Sequence, residues 1–570
     1  MVEQKNKRFN KLSVALLIIA LLVVGFIIYF HFATMIRPPD PGDKHSIGFK
    51  VENPQDDFFT CNRCWLKKSN SGLWEMYLQG KPFERGVING KLSRNLIRMQ
   101  EEAFVAQINQ IVPSRFYQYF LKYFIYWFNR NLDHYLPLEY KLEIYGISLS
   151  ASRKFSFIGS NYQRLLNYHS AHDIGHALQN LRMVGCTSFG VWSGKSKDST
   201  LLIGRNFDFY AGDDFAENKI VCFEKPDSGY AFMMVTWGGM IGAVSGMNEK
   251  GLTVTINAAR SDIPYSARMP ISILAREILQ YSKNIKVAYD IAKSRETFVS
   301  EAILIGSAED NRAAILEKSP SGIAIYQPKS DFIISTNHFQ SKIFSDNPEN
   351  IKDRNENASL YRYKRVLQDI NHDQPLDLKG VAKILRDQKG LNDRNIGMGN
   401  EKAINQLIAH HSIIFKPSER MVWISTGNWQ LGPYVCYDLK KIFNNFAGLK
   451  EKREITEEDK SIAPDPFFLS EDYQHFRSFK EMKKFILNVM KSKEKVVLPD
   501  SFIHELINTN PEYFEVYDIV GDYYQYINRS DSSIVYYRFA LGKEIPRQSE
   551  KNSIIDKLSA CLMKVKKNIK

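Results

Sequence analysis

Cysteine is scarce in this sequence, with six residues in 570. This number excludes a disulfide-dense scaffold, and no second Cys-x-x-Cys accompanies Cys61 and Cys64 to complete a common zinc-site pattern. His169, His172 and His176 lack a His-Glu-x-x-His arrangement, so they predict a structural cluster and no metal site. The glycines of 238–242 lack the spacing of a dinucleotide fingerprint. We therefore expect neither a metal nor a cofactor.

The chain carries a net charge of +13, but its basic residues are dispersed, so we predict no nucleic-acid partner. Its two basic clusters lie at the extreme ends, at 5–11 and 564–570. The second is typical of a solvated helix end. A length of 570 residues predicts two or three domains, and a hydrophobic content of 44% is ordinary for a folded protein.

An unbroken run of apolar and small residues at 12–30 is long enough to cross a bilayer as a helix. It lacks the shorter apolar core and the small-x-small site of a cleaved signal peptide. Because positive charge precedes the run, the positive-inside rule predicts a cytoplasmic tail at 1–11 and a signal anchor at 12–32. The rest of the chain then lies on the periplasmic or extracellular side.

Residues 33–185 are interpreted as a leading segment that is mostly helical. Apolar residues recur at helical spacing over 95–136, and the aromatic stretch 116–128 is predicted to be core and not a lipid-binding face. Cys61 and Cys64 favour a structural disulfide over a redox pair, because no βαβ pattern surrounds them.

The central stretch of the chain is Val184-Gly-Cys-Thr-Ser-Phe-Gly190, followed by Leu201-Leu-Ile-Gly-Arg-Asn-Phe-Asp208. Both segments have strand character and a polar turn joins them, so a hairpin would bring Arg205 and Asp208 beside Cys186. A thiol is nucleophilic only as a thiolate, and Arg205 is a candidate for the cation that lowers its pKa from ~8.5. The alternative is that Cys186 is a small buried hydrophobic residue.

These strings, with Gly246-Met-Asn-Glu-Lys-Gly-Leu252 and Gly80-Lys-Pro-Phe-Glu-Arg-Gly-Val-Ile-Asn-Gly90, resemble a known family. It comprises the N-terminal nucleophile (Ntn) hydrolases of the penicillin acyltransferase, or peptidase C45, type, which are related to choloylglycine hydrolase and acid ceramidase. The resemblance implies a four-layer αββα sandwich over 186–447. Periodicity alone predicts an α+β fold, with strands at 221–223, 231–235, 243–247, 253–257, 302–306, 313–317, 323–326 and 332–336 and helices at 271–280 and 285–293.

The resemblance further implies that the chain cleaves itself between Gly185 and Cys186. The Cys186 thiol would attack the Gly185 carbonyl, and water would then release Cys186 as a new N-terminus. Glycine before the nucleophile tolerates the strained backbone that this attack requires. The new α-amine, with an ordinary pKa of ~7.7 to 8.0, would then serve as general base. The two processed chains would form a heterodimer that acts on a small-molecule amide.

Further site residues follow from positions that match the family. Asn257 and Asn337 resemble its oxyanion-hole residues, and Arg362 resembles a distal arginine that favours the thiolate. Asp208 would hold the new α-amine over the thiol. For each residue an ordinary role is the alternative: an asparagine at a turn, an aspartate at a strand end, an arginine in a surface ion pair.

The C-terminal part begins with a charged stretch at 448–466, which predicts a linker. Residues 467–570 predict a helical domain whose helical hairpin is similar to one tetratricopeptide unit. A single unit seldom buries its own faces, so it either packs on the catalytic domain or docks a protein partner.

The sequence thus predicts a self-cleaving cysteine amidase in which Cys186 attacks a linear amide and forms an acyl-enzyme. An acyltransferase that passes the acyl group to an amine is the near alternative. An inactive membrane-anchored scaffold is an alternative of another class. A papain-like enzyme that uses His338 as base, without cleavage, is a further one.

Overall fold

Two β-sheets carry the fold, in a computed structural model that describes residues 11–569 except 171–172, 174–184, 210–211, 262–265, 453 and 493–494. The larger sheet has 11 strands in the order β1-β2-β3-β4-β7-β8-β9-β10-β11-β12-β13. Its strands are β1 (Glu52–Gln55), β2 (Phe58–Cys61), β3 (Cys64–Lys68), β4 (Trp74–Gly80), β7 (Ile220–Pro226), β8 (Phe232–Thr236), β9 (Ser245–Asn248), β10 (Leu252–Ala258), β11 (Glu301–Ser307), β12 (Arg312–Ser319) and β13 (Gly322–Tyr326). Strands β4 and β7 pair in parallel and the other neighbours are antiparallel.

The smaller sheet has six strands in the order β14-β5-β6-β15-β16-β17. They are β5 (Thr187–Ser193), β6 (Ser199–Phe207), β14 (Phe332–Ser335), β15 (His411–Lys416), β16 (Met421–Ser425) and β17 (Tyr434–Asp438). All neighbours are antiparallel. Strands β5 and β6 form the hairpin that the sequence predicts after Cys186.

Helices cover the sheets and form the two ends of the chain. Those before the hairpin are α1 (Lys11–Thr34), α2 (Pro82–Leu92), α3 (Arg94–Ile111), α4 (Arg115–Phe128), α5 (Leu138–Ser148) and α6 (Asn161–His169). Those within the central part are α7 (Asp213–Ala216), α8 (Ile271–Tyr281), α9 (Ile285–Ser294), α10 (Pro348–Glu356), α11 (Ser359–His372), α12 (Leu378–Leu385) and α13 (Leu439–Asn444). The last are α14 (Glu471–Lys491), α15 (Asp500–Thr509), α16 (Phe514–Tyr526), α17 (Ser530–Leu541) and α18 (Gln548–Ile569).

The facing surfaces of the two sheets share one hydrophobic core. Phe223 and Ile315 of the larger sheet and Ile413 and Ile424 of the smaller sheet belong to it, and each is buried. Burying one such side chain stabilises a fold by roughly 1.5 to 3 kcal/mol. This core fixes the distance between the sheets. It therefore positions the start of β5, next to Cys186, against β10 of the larger sheet.

The outer faces of the sheets are covered by helices. On the larger sheet, Ile256 packs in one core with Leu274 of α8 and Ile144 of α5. On the smaller sheet, Ile414 packs in another core with Val366 of α11. The strands and helices predicted over 221–336 are confirmed, with bounds that differ by a few residues.

The leading segment is less helical than its sequence predicts. Strands β1 to β4 precede its helices, and β4 joins the larger sheet beside β7. The prediction of a mostly helical segment is therefore wrong for 52–80. The error has a physical cause, because β4 is paired with a strand that is distant in sequence and local periodicity does not report such pairing.

Cys61 and Cys64 are both free thiols, so the predicted disulfide is not formed. They stand opposite each other at the end of the β2–β3 hairpin. The Cys64 Sγ instead accepts a hydrogen bond from the backbone N–H of Gln79 at 3.3 Å. Burial raises the pKa of the Cys64 thiol to about 12, which keeps it protonated.

The prediction that the aromatic stretch 116–128 is core is also wrong. None of the residues of α4 is buried, and Phe116 is 85% exposed. The helix runs beside the end of α1, and the ring of Phe30 contacts two of its aromatic rings. One described helix is long and apolar enough to cross a membrane, Val14–Thr34 within α1, with a mean hydropathy of 2.8.

The charged stretch 448–466 is not a detached linker. Ile462 pairs with Tyr434 through both backbone hydrogen bonds, and Leu449 and Ile455 are buried in the core between the sheets. The helices α14 to α18 share a core of their own, which Leu407 and Leu431 of the central part enter. The two helices predicted at 510–524 and 532–541 are present as α16 and α17, with bounds that differ by a few residues.

Candidate active site

The β5–β6 hairpin places Arg205 next to Cys186. Thr187 pairs with Asn206 and Ser188 with Arg205. The strand pairing therefore begins at Thr187, the residue after the cysteine. One guanidinium N–H of Arg205 donates to the Cys186 Sγ at 3.7 Å. The predicted proximity of these two side chains is therefore present in the structure.

Arg205 is a fully buried cation held by several groups. It donates to Ser245 Oγ and to the carbonyl oxygen of Ile256, both at 2.5 Å, and it lies 4.3 Å from the centre of the Phe207 ring. Burial raises the pKa of the Cys186 thiol to about 11, and the charge of Arg205 opposes this rise only in part. In the uncut chain the cysteine is thus a neutral thiol near neutral pH.

The peptide bond between Gly185 and Cys186 is held from both sides. The Gly185 N–H donates to the backbone oxygen of Asp208 at 2.9 Å, and the Gly185 carbonyl oxygen accepts from Nε2 of Gln406 at 2.6 Å. A Cβ at residue 185 would lie 2.6 Å from the Gln406 Oε1, so the Gln406 amide would have to move to admit a side chain there. Glycine thus leaves the Gln406 amide in place beside the peptide bond.

Asp208 is buried beside the cysteine with an uncommitted carboxyl group. Within the part of the chain that the structure describes, neither of its carboxyl oxygens has a hydrogen-bond partner. Burial raises its pKa from 3.8 to about 7, although Arg362 and Arg205 act in the opposite direction. A buried, unpartnered carboxyl with a pKa near neutrality is suited to accept a proton.

Arg362, on α11, reaches the same place from the opposite side. Its Nη1 donates to the Cys186 carbonyl oxygen at 2.6 Å and to Thr187 Oγ1 at 2.9 Å. Its Nη2 donates to Asn337 Oδ1 at 2.7 Å. It therefore fixes the backbone of the cysteine and one of the two predicted asparagines at once.

The two asparagines line the site without touching the scissile carbonyl. Asn337 donates through Nδ2 to the Ala258 oxygen at 2.9 Å. Asn257 donates to the Ser335 oxygen at 2.8 Å and accepts from Ser188 Oγ at 3.1 Å. In this uncut chain both amides are thus engaged with neighbouring strands, and the donor on the Gly185 oxygen is Gln406.

Gln406 and the pair formed by Ser245 and His411 are site residues that the sequence did not reveal. His411 Nε2 lies 2.9 Å from Ser245 Oγ, which in turn accepts from Arg205. Gln406 lies in a loop before β15, with no motif around it. Ser245 stands in a glycine-flanked string that lacks the serine-hydrolase spacing, and no sequence signal links it to Arg205.

The histidines singled out by the sequence are engaged elsewhere. His338 Nδ1 lies 2.8 Å from Ser359 Oγ, and burial lowers the pKa of His338 to about 3. His169 accepts from the Ile241 N–H at 3.0 Å through Nε2, and its Nδ1 lies 2.8 Å from the Leu165 oxygen. His172 and His176 lie outside the described residues. Among the described residues no three metal-ligating side chains are grouped.

An apolar cavity of about 50 Å³ lies against Phe209, the residue that follows Asp208 in the chain. Phe209, Phe215 and Trp237 line it from the central part of the chain, and Phe104 and Tyr168 close it from the leading segment. The wall of this cavity therefore contains residues from both sides of the Gly185–Cys186 bond.

The central part of the chain is similar to a known protein family. Residues 192–430 match the family described as acyl-coenzyme A:6-aminopenicillanic acid acyl-transferase. The match confirms the resemblance to the penicillin acyltransferase type of Ntn hydrolase that the sequence motifs indicate. The matched region begins after Cys186, so the match does not include the cysteine itself.

Two curated relatives are each 23% identical to the chain. One is an uncharacterised protein of Archaeoglobus fulgidus, matched over 56% of this chain and 58% of its own length, and the other is protein dcd1B of Dictyostelium discoideum, matched over 45% and 52%. The chain thus spans little more than half the length of these relatives.

The chain also has partial similarity to the solved structures of two hydrolases. An N-acylethanolamine-hydrolyzing acid amidase ortholog from Caenorhabditis elegans is 15% identical over 41% of this chain and 93% of its own, with a TM-score of 0.30. A mutant of the conjugated bile acid hydrolase from Clostridium perfringens is 13% identical over 45% and 93%, with a TM-score of 0.32.

Proposed function

We propose that this chain is a self-cleaving cysteine amidase that hydrolyses a linear amide through Cys186. The observation that carries the proposal is the arrangement around one peptide bond. The Gly185 carbonyl oxygen accepts from Gln406 at 2.6 Å, while the thiol that would attack this carbonyl lies beside Arg205 and close to the unpartnered carboxyl of Asp208. An electrophile, a nucleophile and a proton acceptor meet in one buried place.

The cleavage step follows from these positions. The Cys186 sulfur bonds to the Gly185 carbonyl carbon, and the thiol proton passes to Asp208. Negative charge then develops on the Gly185 oxygen, where the Gln406 N–H meets it. The carbon–nitrogen bond breaks as the α-nitrogen takes up a proton, and a thioester joins Gly185 to Cys186. Water hydrolyses this thioester and leaves a Gly185 carboxylate and a free cysteine N-terminus.

After cleavage the same residues would serve substrate hydrolysis. The freed α-amine of Cys186 has an ordinary pKa of ~7.7 to 8.0 and takes over as general base. Asp208 accepts a hydrogen bond from this amine and holds it near the thiol. Asn257 and Asn337 would then stabilise the oxyanion of the bound amide, and Arg362 would fix the Cys186 backbone.

The cavity against Phe209 supports an apolar group on the substrate. After cleavage its aromatic walls from the central part lie on the catalytic chain, and its walls from 33–185 lie on the leading chain, which stays bound to it. Acyl transfer to an amine is the second candidate, because the family that matches 192–430 is named for an acyl-transferase. The two reactions share the acyl-enzyme and differ in whether water or an amine attacks it.

The remaining features complete the proposal. We assign the two stacked sheets with their outer helices to a four-layer αββα sandwich, and 467–570 to a tetratricopeptide-like extension that packs on the catalytic domain or binds a protein partner. Helix α1 acts as a signal anchor that leaves the catalytic part outside the cytoplasm, and the two cleaved chains stay together as a heterodimer.

The experiment that tests the proposal compares purified wild type with Cys186→Ala. We expect the wild type to give two chains that co-purify, with Cys186 as the N-terminal residue of the larger one. Cys186→Ala should give one uncut chain without amidase activity. A wild type that is active on amides while uncut would contradict the mechanism. An uncut and inactive wild type would instead favour the scaffold alternative.

A further inference from the structure

Helix α4 presents an almost unbroken set of aromatic side chains to the outside of the protein. Exposed fractions are 85% for Phe116, 59% for Tyr119, 57% for Phe120 and 49% for Tyr123. A contiguous apolar surface of this kind on a folded protein normally marks a contact with another phase or partner. The exposed aromatic face of α4, comprising Phe116, Tyr119, Phe120, Tyr123 and Phe124, is called the aromatic face below.

The aromatic face adjoins the helix that is apolar enough to cross a membrane. The Phe30 ring of α1 stacks on Trp127 at a centroid distance of 5.8 Å and meets Tyr123 edge-on at 5.8 Å. The end of α1 is fastened to the body, because Gln163 Nε2 donates to the Thr34 oxygen at 2.7 Å. Helix α1 therefore leaves the protein directly beside α4.

The position of Phe30 along α1 sets the level of α4. The 21 residues of Val14–Thr34 extend about 32 Å as a helix, close to the ~30 Å thickness of a bilayer hydrocarbon core. Phe30 lies one turn, or roughly 6 Å, before the end of this span. The rings that contact Phe30 therefore lie near the boundary between hydrocarbon and headgroups if α1 crosses the bilayer.

Cations flank the aromatic rings in the pattern found at membrane interfaces. The Arg130 guanidinium lies 4.2 Å from the centre of the Trp127 ring, and Lys122 Nζ lies 5.4 Å from the Tyr123 ring. Lys122 also donates to the Phe157 oxygen at 2.6 Å, and Phe157 is itself 61% exposed. Tyrosine, tryptophan and basic side chains together are typical of the headgroup level of a bilayer.

We propose that α4 lies in the bilayer interface as a second membrane contact, with its aromatic face in the boundary between headgroups and acyl chains. The proposal rests on the anchoring role of α1 proposed above. Continuity with α1 favours a bilayer over a partner protein, because whatever surrounds α1 reaches the aromatic face first. The two contacts together would hold the catalytic part against the membrane surface.

The test uses the full chain reconstituted in vesicles of phosphatidylcholine and phosphatidylglycerol. A photoreactive benzophenone amino acid replaces Phe120 on α4, Leu22 on α1 or, as matched control, Leu469, which is 82% exposed in the C-terminal part. We expect lipid adducts by mass spectrometry at positions 22 and 120, and none at 469. Because Phe120 is exposed and its replacement is aromatic, the fold should tolerate the change; Phe116 offers a second position.

The possible outcomes separate the two proposals. Lipid adducts at position 22 without any at 120 or 116 would overturn the interfacial position of α4 and leave the anchor intact. Adducts at none of these positions would overturn both. A protein–protein crosslink at 120 in place of lipid would identify the aromatic face as an interface between copies and overturn the bilayer contact. Self-cleavage at Cys186 is read on the same samples by gel and does not depend on these results.

Discussion

At the scale of single residues, the low reactivity of the Cys186 thiol decides what else the site needs. Burial raises its pKa to about 11, so roughly one thiol in 10⁴ is ionised at pH 7. The charge of Arg205 compensates for this burial only in part. A base is therefore required in the uncut chain, and Asp208, with a pKa raised to about 7 by burial, fits that role.

The first prediction concerns the pH dependence of self-cleavage. Asp208 is mostly protonated near pH 5 and mostly ionised near pH 8, because its folded-state pKa is about 7. The self-cleavage rate of freshly prepared uncut protein should rise as the pH passes through 7 and then become constant. In Asp208→Asn the self-cleavage rate should be slow and should not become constant above pH 7. It should instead increase up to about pH 11, in step with the ionised fraction of the Cys186 thiol. Timed gels across a pH series measure both profiles.

A measurement of the free energy of unfolding shows whether Asp208→Asn cleaves slowly because it lacks the base or because it is less stably folded. A raised folded-state pKa means that this group contributes stability below pH 4 that is lost as pH rises through 7. In the uncleavable background, Cys186→Ala/Asp208→Asn should therefore be more stable than Cys186→Ala at pH 8, by up to about 4 kcal/mol. A profile unchanged by Asp208→Asn would exclude Asp208 as the base.

The second prediction concerns Gln406, the donor to the Gly185 oxygen. Its removal should slow self-cleavage by about 10² to 10³, the usual loss for one oxyanion donor. Gln406→Ala is compared with Gln430→Ala, which removes another buried glutamine whose amide group has no hydrogen-bond partner in the described chain. Equal self-cleavage rates in the two variants would show that the hydrogen bond from Gln406 to Gly185 does not contribute to catalysis.

How far the site is predictable depends on where each residue stands in the chain. Arg205 and Asp208 follow Cys186 through a single hairpin, so strand pattern and a polar turn suffice to bring them together. Asn337 and Arg362 are identified only through resemblance to a family. Gln406 is not predicted at all, because it lies in a loop without a pattern and contacts Gly185 through tertiary structure alone.

At the scale of elements, sequence patterns succeed where an element's own residues carry the signal. Strands β11 and β12 each contain a short apolar run, Ala302–Ile305 and Ala313–Leu316. Helix α9 begins after Asn284, whose side chain accepts from the Val287 N–H at 3.0 Å. The prediction fails for strand β4 because its partner β7 lies on the far side of the hairpin in sequence. Pairing between distant strands is set by the assembled sheet and not by local propensity.

The prediction for helix α4 fails for a different reason. An aromatic stripe at helical spacing indicates that a helix has an apolar face, but it does not identify the apolar medium. A protein core and a bilayer interface place similar demands on such a face. The exposure of the α4 side chains excludes the core, and the position of α4 beside α1, seen in the contact of Phe30 with Trp127, favours the proposed bilayer interface.

At the scale of the whole molecule, the Gly185–Cys186 bond divides a single body. The larger sheet contains strands from both sides of it, joined where β4 pairs with β7. Beside this junction a buried ionic network crosses the same boundary. Arg85 contacts Glu143 at 2.6 Å within the leading segment and Glu224 of β7 at 2.7 Å, and Arg276 of α8 contacts Glu143 at 3.5 Å.

The last prediction is that the cleaved halves stay together in high salt and separate only when the fold is loosened. Salt screens exposed charges, whereas the Arg85 network and the shared sheet are buried. In detergent, the two chains should co-elute on size exclusion at about 0.1 M and about 1 M NaCl alike. Separation by salt alone would mean that surface ion pairs hold the halves together.

Arg85→Met tests which contact matters most. Removing this arginine leaves Arg276 as the one cation paired with the carboxylates of Glu143 and Glu224 in the described part of the chain. Breaking a buried ionic network in this way costs about 3 to 5 kcal/mol. The halves of this variant should dissociate at a lower urea concentration than those of wild type. Arg94→Met, which removes an exposed arginine of α3, should behave as wild type. If both variants dissociate like wild type, the β4–β7 pairing and the apolar core alone join the two chains.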